Sequence, residues 1–274
     1  MHKIHLLDVP NTVRITSLQD ERDYVDISFL LQPIVEPANG EVVAYEALSK
    51  VLTQEGEQLN NELFFEQLDD EFLKALVLAQ IKAFKQSVYK QRRVLISYNL
   101  SLSCMNDECF IDTLLGTATQ KIALEFTNLD TNIRSKRLLA NLQKVQKKGH
   151  QLWLDDYLHQ SKEANLTLGN IEWDIIKIDK SYLFFNTKEE SLLESLTTVL
   201  QSYVKKGLVF EGVETELQRR LICGHRVYAQ GYYFSYPRSV EDAISRTYYS
   251  PWNTISNESR SKKQHRDKAS LPTP

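Results

Sequence analysis

Residues 27–48 read ISFLLQPIVEPANGEVVAYEAL, which are two apolar runs joined by a short polar linker. The linker, residues 35–41, contains Asn39-Gly40, a dipeptide that favours the tight turn of a β-hairpin. It is too short for the helical crossover that parallel neighbouring strands require. We therefore predict that the two apolar runs are neighbouring antiparallel strands.

Strand and helix patterns alternate along the rest of the chain. The predicted strands, which are rich in β-branched and aromatic residues, cover residues 27–34, 42–48, 94–100, 122–127, 152–155, 174–178, 208–213 and 228–235. Amphipathic helical patterns cover residues 63–88, 133–147 and 192–204. Gly149 and Gly207 stand where helix C-caps are expected. Because eight such units in roughly 250 residues are typical of the triosephosphate-isomerase barrel, we predict an α/β fold, a (β/α)8 TIM-like barrel with one antiparallel strand.

Composition and charge limit the classes of function. The 274 residues are 42% hydrophobic and 25% charged, which is enough for one barrel-sized domain. A formal net charge of −3 argues against broad nucleic-acid binding, so we expect no DNA partner. Three cysteines without CxxC or Cys/His spacing argue against a disulfide framework and a zinc finger. No signal-peptide pattern and no apolar run of roughly 18 to 20 residues is present, so we expect a cytoplasmic protein without a membrane partner.

The chain is expected to have three segments. We predict an N-terminal arm over residues 1–26, a barrel domain over residues 27–250 and a disordered basic tail over residues 251–274. The tail has five basic residues against two acidic ones and no apolar periodicity. We favour a solvated extension over a binding arm for the tail, because it carries no motif.

Polar and charged residues stand at or near the ends of the predicted strands. In chain order they are Glu46, Asn99, Glu125, Asp155, Asp156, Lys177, Glu211 and Gln230. The C-terminal strand ends of a β/α barrel face the active site, so these side chains are expected to converge. Five acids around one lysine would repel each other unless cations joined them, and two divalent cations would balance the charge.

Each of these residues has a simpler explanation when it is taken alone. Asp155-Asp156 or Asn99 could cap the helix that follows. The glutamates could be surface acids and Lys177 a solvated strand end. Convergence of the whole set at one end of a barrel favours a metal site instead.

The order of these motifs resembles the EAL family, phosphodiesterases that hydrolyse the bacterial messenger cyclic di-GMP. Glu46-Ala47-Leu48 matches the motif that names the family, and LQPI at residues 31–34 resembles its opening strand. The further matching motifs are Asn99-Leu100-Ser101, Leu124-Glu125-Phe126-Thr127, Leu154-Asp155-Asp156, Ile176-Lys177-Ile178-Asp179, Glu211-Gly212-Val213-Glu214-Thr215 and QGYYFSYP at residues 230–237. The resemblance covers residues 29–237 and implies a barrel with one reversed strand.

The resemblance implies a role for each matching residue. The implied metal ligands are Glu46, Asn99, Glu125, Asp155, Asp156 and Glu211. Lys177 resembles the lysine that orients or deprotonates the attacking water, with Glu211 beside it in the catalytic centre. The implied substrate-binding residues are Lys50, Glu214 and Gln230. Carboxylate and amide oxygens suit two Mg²⁺ or Mn²⁺ ions, which would serve an in-line displacement that yields linear pGpG.

Three features depart from the family pattern. Lys50 stands where the family usually has a phosphate-binding arginine, so the charge is kept but the bidentate fork is lost. Asn128 stands in place of a second acid in the family motif around Glu125. The loop after Asp156 reads YLHQSKE at residues 157–163 and lacks both glycines of the family sequence. We expect this loop to be more mobile than its counterparts, or to be ordered by a dimer partner.

Three functions are open on the sequence alone. The full set of acids, amide and lysine favours an active cyclic di-GMP phosphodiesterase. The changed loop and Lys50 favour a catalytically weak or inactive protein that acts as a cyclic di-GMP receptor or protein-binding regulator. A barrel glycosidase would explain two carboxylates but not Asn99 or Lys177. We also expect a homodimer, and a further protein partner stays open.

Overall fold

The computed structural model describes residues 2–17, 24–88, 94–129, 131–185, 190–222 and 224–245. Its strands are β1 (His2–Leu6), β2 (Thr12–Ser17), β3 (Tyr24–Val35), β4 (Val42–Leu52), β5 (Ile96–Leu100), β6 (Ala123–Phe126), β7 (Gln151–Tyr157), β8 (Trp173–Ile178), β9 (Val204–Phe210), β10 (Val227–Ala229) and β11 (Arg238–Ser239). Its α-helices are α1 (Asn61–Glu66), α2 (Asp70–Ser87), α3 (Glu108–Thr117), α4 (Lys136–Lys147), α5 (Lys162–Thr167), α6 (Ser181–Phe185), α7 (Glu190–Gln201), α8 (Glu216–Leu221) and α9 (Val240–Ser245). A 3-10 helix spans Leu102–Asn106.

Eight of these strands close into a barrel. Strands β4 to β10 pair as parallel neighbours in chain order, and β3 closes the gap between β10 and β4. Strand β3 is antiparallel to both of these neighbours. The prediction of a TIM-like barrel with one antiparallel strand is therefore confirmed.

The turn between β3 and β4 accounts for the reversed strand. Gly40 donates its N–H to the carbonyl of Glu36, and Glu41 donates its N–H to the side-chain oxygen of Asn39. Gly40 has a φ of +72°, a left-handed conformation that glycine adopts without steric cost. The hairpin predicted from Asn39-Gly40 is present.

The segment predicted as an N-terminal arm, residues 1–26, contains regular strands. Strand β1 pairs antiparallel with β2, and β2 pairs antiparallel with the first half of β3. Val13 and Ile15, which alternate along β2, are buried, as expected for a strand with one face on the core. These residues therefore extend the sheet beyond the closed barrel. The predicted tail, residues 251–274, lies outside the described residues.

Two predicted elements are interrupted in the structure. The predicted helix over residues 63–88 is two helices, because Asp69 accepts the N–H of Phe72 and starts α2 as its N-cap. The predicted strand over residues 228–235 ends with β10, because the chain then turns at Gly231, whose carbonyl accepts two backbone N–H groups. In both cases hydrogen bonds to a local acceptor interrupt a continuous apolar pattern.

Of the two predicted C-cap glycines, one is a cap and one is not. Gly149 follows α4 with a φ of +87° and donates its N–H to the carbonyl of Gln146. Gly207 lies inside β9, so the prediction of a cap there was wrong. A Cβ at Gly207 would lie 2.1 Å from the carbonyl oxygen of Arg226. The close approach of two chain segments, which local sequence does not reveal, is the reason for this glycine.

Six buried side chains form a small core inside the barrel: Ile34, Ala44, Ala123, Trp153, Ile175 and Val209. Side chains two positions apart on a strand point to the same face. Five members of this core are followed two positions later by a predicted site residue, as in the pairs Ala44 and Glu46, Ala123 and Glu125, Trp153 and Asp155, Ile175 and Lys177, and Val209 and Glu211. The inner core therefore directs the site residues to the C-terminal end of the barrel.

A second and larger core lies between the barrel and its helices. Phe84 of α2, Leu114 of α3 and Leu142 of α4 belong to it. Phe84 packs edge to face on Phe29 of β3, with ring centroids 5.9 Å apart. Within the parts of the chain that the structure describes, no helix combines the length and apolar character needed to cross a membrane.

The substitution Gly207→Ala is expected to lower the free energy of unfolding by about 2 to 4 kcal/mol, because the new Cβ meets a backbone oxygen that cannot move aside. Gly116→Ala is the matched control. Gly116 lies in α3 with no atom within 4 Å of the added Cβ, and alanine stabilises a helix over glycine by roughly 1 kcal/mol. Chemical denaturation of both variants measures the difference, and parent-like stability of Gly207→Ala would contradict the close approach.

Candidate active site

Lys177 is buried at the centre of the strand ends, where it faces four carboxylates. Its Nζ lies 2.8 Å from Asp155 Oδ1, 2.9 Å from Glu125 Oε2, 2.9 Å from Glu211 Oε1 and 3.2 Å from Glu46 Oε2. The four acids come from β4, β6, β7 and the residue after β9, and the lysine comes from β8. One positive and four negative charges give this cluster a net charge of −3 when all five groups are ionised.

Two side-chain amides fix the orientation of Glu46. Asn99 Nδ2 donates to Glu46 Oε1 at 2.8 Å, and Gln230 Nε2 donates to Glu46 Oε2 at 2.6 Å. Gln230 Nε2 also lies 3.2 Å from Oε1 of Gln32, whose own amide donates to the carbonyl of Ser235. Sequence analysis did not assign Gln32 to the site. Its position as a polar residue in an otherwise apolar strand was the available signal.

A β-bulge brings Asp155 and Asp156 to the same side of the barrel end. These two residues of β7 lie opposite the single residue Lys177 of β8, which breaks the regular alternation of faces. Asp156 has a φ of +48°, in the left-handed region. Carboxylate oxygens of Asp155, Asp156 and Glu211 consequently lie within 4.8 Å of one another. In a regular strand the two adjacent aspartates would point to opposite faces.

A cleft with two compartments opens above the cluster, and Asp156 lines both of them. The first compartment has a volume of about 450 Å³, and its lining includes Glu46, Glu211, Gln230 and Tyr232. The second has a volume of about 600 Å³, and its lining includes Asn99, Asn128 and Phe65. Volumes of this size are typical of pockets for small molecules.

The remaining predicted site residues lie farther from the acidic cluster. Glu214 is exposed and lines the first compartment. Lys50 is half-buried on β4, four residues after Glu46, and is absent from the lining of both compartments. The role of Lys50 in phosphate binding stays a prediction.

The sequence matches the EAL domain family over residues 16–237, which is most of the chain. The chain belongs to the EAL domain family. The matching segment starts within β2 and ends just before β11, so it contains all eight barrel strands and every predicted site residue.

A related EAL protein is the probable cyclic di-GMP phosphodiesterase PdeB of Escherichia coli strain K12, which is 28% identical over 244 residues. The matched region covers 83% of this chain and 46% of PdeB. The chain thus spans about half the length of this relative.

Solved EAL structures share the fold. The EAL enzyme Bd1971 in its cAMP and cyclic di-GMP bound form has a TM-score of 0.69 at 18% identity, covering 80% of this chain and 64% of that chain. An EAL domain protein from Listeria monocytogenes EGD-e has a TM-score of 0.66 at 21% identity. The match covers 81% of this chain and 92% of the Listeria chain. BlrP1 of Klebsiella pneumoniae, solved with manganese and cyclic di-GMP, has a TM-score of 0.62 at 19% identity. The match covers 86% of this chain and 58% of the BlrP1 chain.

Burial controls the protonation of the EAL carboxylates. Loss of hydration raises the pKa of Glu125 and of Glu211 well above the ordinary value, although attraction to Lys177 acts in the opposite direction. The same cause raises the pKa of Asp155 to about 6. The acids of this cluster therefore resist holding their full negative charge together.

The surroundings of Glu46 and Lys177 stabilise the charged forms of these two side chains. Burial acts to raise the pKa of Glu46, but Lys177 and the amides of Asn99 and Gln230 outweigh it and lower that pKa. Burial acts to lower the pKa of Lys177, but the surrounding carboxylates raise it well above the ordinary value. Lys177 is 1% exposed, so it also has a structural role beyond the one implied by sequence resemblance.

The donor atoms of the EAL site fit hard divalent cations. The candidate ligands offer only oxygen, from the carboxylates of Glu46, Glu125, Asp155, Asp156 and Glu211 and from the amide of Asn99. Asn99 donates to Glu46 through Nδ2, which leaves its Oδ1 as an acceptor. Glu125 Oε1 is buried without a hydrogen-bond partner in the described part of the chain. This set suits Mg²⁺ or Mn²⁺ rather than a softer metal.

The substitution Glu211→Gln keeps the side-chain shape and removes one of the four negative charges around Lys177. Without divalent cations, the variant is expected to gain about 1 kcal/mol of stability, or roughly 2 to 4 °C in Tm, because repulsion falls. Millimolar Mg²⁺ or Mn²⁺ is expected to raise the Tm of the parent protein more than that of the variant, because a ligand is lost. Differential scanning calorimetry measures both effects.

The control for this experiment is Glu216→Gln. Glu216 pairs with Arg219 and Arg220 at 2.8 and 2.7 Å, outside the acidic cluster. This variant should lose a little stability and keep the full response to cations. If neither cation changes the Tm of the parent protein, the metal site is wrong.

Proposed function

We propose that this EAL chain hydrolyses cyclic di-GMP to linear pGpG with the help of two divalent cations, Mg²⁺ or Mn²⁺. The main support is the position of Lys177 among four carboxylates, together with the bulge that adds Asp156 to them. Such an excess of buried negative charge is costly unless cations share it. PdeB is named as a probable cyclic di-GMP phosphodiesterase, and BlrP1 was solved with manganese and cyclic di-GMP.

The acids of the cluster divide into two overlapping sets of ligands in this proposal. The first set is Glu46, Asn99, Glu125 and Asp155, and the second is Asp155, Asp156 and Glu211. Bound cations stabilise the charge on the phosphate oxygens and favour the nucleophilic form of water. The protein holds the ligands in place before the cations arrive, since Asn99 and Gln230 already restrict Glu46.

Lys177 provides a fixed cationic donor beside the reacting phosphate. Because four carboxylates keep it protonated, it is suited to orient the attacking water or a phosphate oxygen through its N–H groups. Of the two roles considered for Lys177, orientation of the attacking water is the one proposed here.

The shape of the cleft suits a dinucleotide. Cyclic di-GMP has two guanosine units joined by two phosphodiester bonds, and the cleft has two compartments on either side of Asp156. A nucleoside in each compartment would leave a phosphodiester near the acidic cluster. Tyr232, an exposed aromatic side chain, lines the first compartment.

A cyclic di-GMP receptor with little turnover is the second candidate. The observation that favours it is Lys50, which stands where the family pattern has arginine and cannot form the two parallel hydrogen bonds of a guanidinium to a phosphate. A poorly placed substrate can lower the rate by orders of magnitude while binding persists.

The deciding experiment is incubation of the purified protein with cyclic di-GMP and Mg²⁺ or Mn²⁺, with pGpG measured by chromatography. Formation of pGpG that stops when a chelator is added is the expected result. Binding of cyclic di-GMP in calorimetry without product would favour the receptor. Absence of both binding and product would contradict both candidates.

The substitution Lys177→Met removes the ammonium and keeps the apolar stem. We expect pGpG formation to fall by about 100-fold or more, because the water loses its fixed donor. We also expect the free energy of unfolding without cations to fall by about 3 kcal/mol, because four carboxylates, three of them buried, lose their partner. Chromatography and chemical denaturation measure the two effects.

Lys74→Met is the matched control for Lys177→Met. Lys74 is also a buried lysine, and it pairs with Asp107 at 2.7 Å and with Glu71 on the outer side of the barrel. This variant should lose stability while the folded protein keeps the parent rate. Parent-like turnover by Lys177→Met would show that the proposed role of Lys177 is wrong.

A further inference from the structure

The loop after Asp156 is fixed by hydrogen bonds that centre on Tyr182 of α6. The Tyr182 hydroxyl accepts the backbone N–H of His159 at 2.8 Å and lies 2.5 Å from Nδ1 of the same residue. Because the oxygen accepts from the backbone, its own O–H is free to donate to Nδ1. The two rings also lie edge to face with centroids 5.6 Å apart. One tyrosine therefore fixes both the backbone and the side chain of His159.

Asn165 of α5 fixes the same loop from a second side. Its Oδ1 accepts the hydroxyl of Tyr157 at 2.8 Å, and its Nδ2 donates to the carbonyl of His159 at 2.8 Å. Tyr157 directly follows Asp156 and is 4% exposed. The amide of Asn165 thus joins the end of β7 to the turn of the loop.

Backbone hydrogen bonds connect this network to the end of β8. Asp179 donates its N–H to the carbonyl of Tyr157 at 3.3 Å, and Tyr182 donates its N–H to the carbonyl of Asp179 at 3.1 Å. The side chain of Tyr182 is buried, at 5% exposure. All of these bonds join residues of the same chain. The expectation that this loop is mobile, or ordered by a dimer partner, stays a prediction.

Asp156 needs such support because its position is unfavourable in two ways. Its left-handed backbone costs roughly 1 to 2 kcal/mol for a residue with a side chain. Its carboxylate must also stay within 4.8 Å of the acids Asp155 and Glu211. A return to extended backbone would relieve the strain and carry the carboxylate away from the cluster.

We propose that Tyr182 and Asn165 are positioning residues, which hold Asp156 in the left-handed conformation and keep its carboxylate available to a cation. The inference rests on the proposed metal-dependent function. Tyr182 acts through His159, three residues after Asp156, and Asn165 acts through both His159 and Tyr157, which directly follows Asp156. Side-chain hydrogen bonds thereby maintain a backbone conformation that a glycine would adopt without help.

The test uses Tyr182→Phe, which deletes one hydroxyl, and Mn²⁺ as the probe. Calorimetric titration of the full chain without nucleotide should show that the weaker of two Mn²⁺ sites loses about tenfold in affinity, because groups that orient a ligand typically contribute 10-fold to 100-fold. The affinity of the tighter site should not change. Asn165→Ala should act in the same way. In the double variant, the fold-loss of Mn²⁺ affinity at the weaker site should be smaller than the product of the two single fold-losses, because both residues hold the same loop.

Tyr45→Phe is the matched control. The Tyr45 side chain is also buried, and its hydroxyl donates to the carbonyl of Ala243 at 3.1 Å. It points away from Glu46, its neighbour in β4, because adjacent side chains of a strand face opposite ways. Both tyrosine variants should lose a similar amount of stability, but only Tyr182→Phe should weaken Mn²⁺ binding and speed hydrogen exchange of the amides in residues 157–163.

The outcomes separate this inference from the proposed function. Equal Mn²⁺ affinity in the parent and Tyr182→Phe overturns the positioning role, as does an equal loss of affinity in Tyr45→Phe. Weaker Mn²⁺ binding by Tyr182→Phe, with no hydrolysis of cyclic di-GMP by the parent, supports the positioning role and contradicts the proposed activity. A parent protein that binds no Mn²⁺ at millimolar concentration contradicts both.

Discussion

The pairing of one ammonium with four carboxylates is the constraint on which the catalytic end of the barrel depends. Lys177 lies within 3.2 Å of all four acids, and it is buried with Glu46, Glu125 and Asp155, whereas Glu211 is partly exposed. Two like charges 4 Å apart repel by about 4 kcal/mol at an effective dielectric constant of 20. A few such pairs rival the roughly 5 to 15 kcal/mol by which a domain is stable. Lys177 and bound protons therefore share the neutralisation of this site, as the raised pKa of Asp155, at about 6, indicates, and the proposed cations would balance the remaining charge.

The same strands build the core and the site, so the two cannot vary independently. Trp153 fills the barrel interior, and Asp155, two positions later, reaches the acidic cluster on the same face. The bulge in β7 is the one departure from this alternation that the site exploits, because it adds Asp156 to the same side as Asp155. The regular strands thus provide one set of acids, and a local irregularity provides the remaining acid.

The loop at residues 157–163 follows the bulge in β7 and bears on the proposed function, because it supports the position of Asp156. In the proposed function, the carboxylate of Asp156 binds a cation only while this loop holds it near Asp155 and Glu211. In this chain the tyrosines and amide around His159 hold the loop, in a sequence that lacks the glycines of the family pattern. In sequence, the loss of these glycines suggests a defective loop. In the structure, the loop residues form their own set of hydrogen bonds.

Sequence alone determined the barrel, its reversed strand and most of the charged site, because these follow from local patterns: strand periodicity, the Asn39-Gly40 turn and the position of acids at strand ends. Only the tertiary structure decided that Gly207 serves a close approach of two chain segments and that Gln32 supports Gln230. Each of these depends on contacts between residues distant in the chain. The convergence of the acids around Lys177 was predicted from the strand ends. The burial of Lys177 and its four partners follow from the closure of the barrel, which brings four carboxylates within 3.2 Å of the lysine nitrogen.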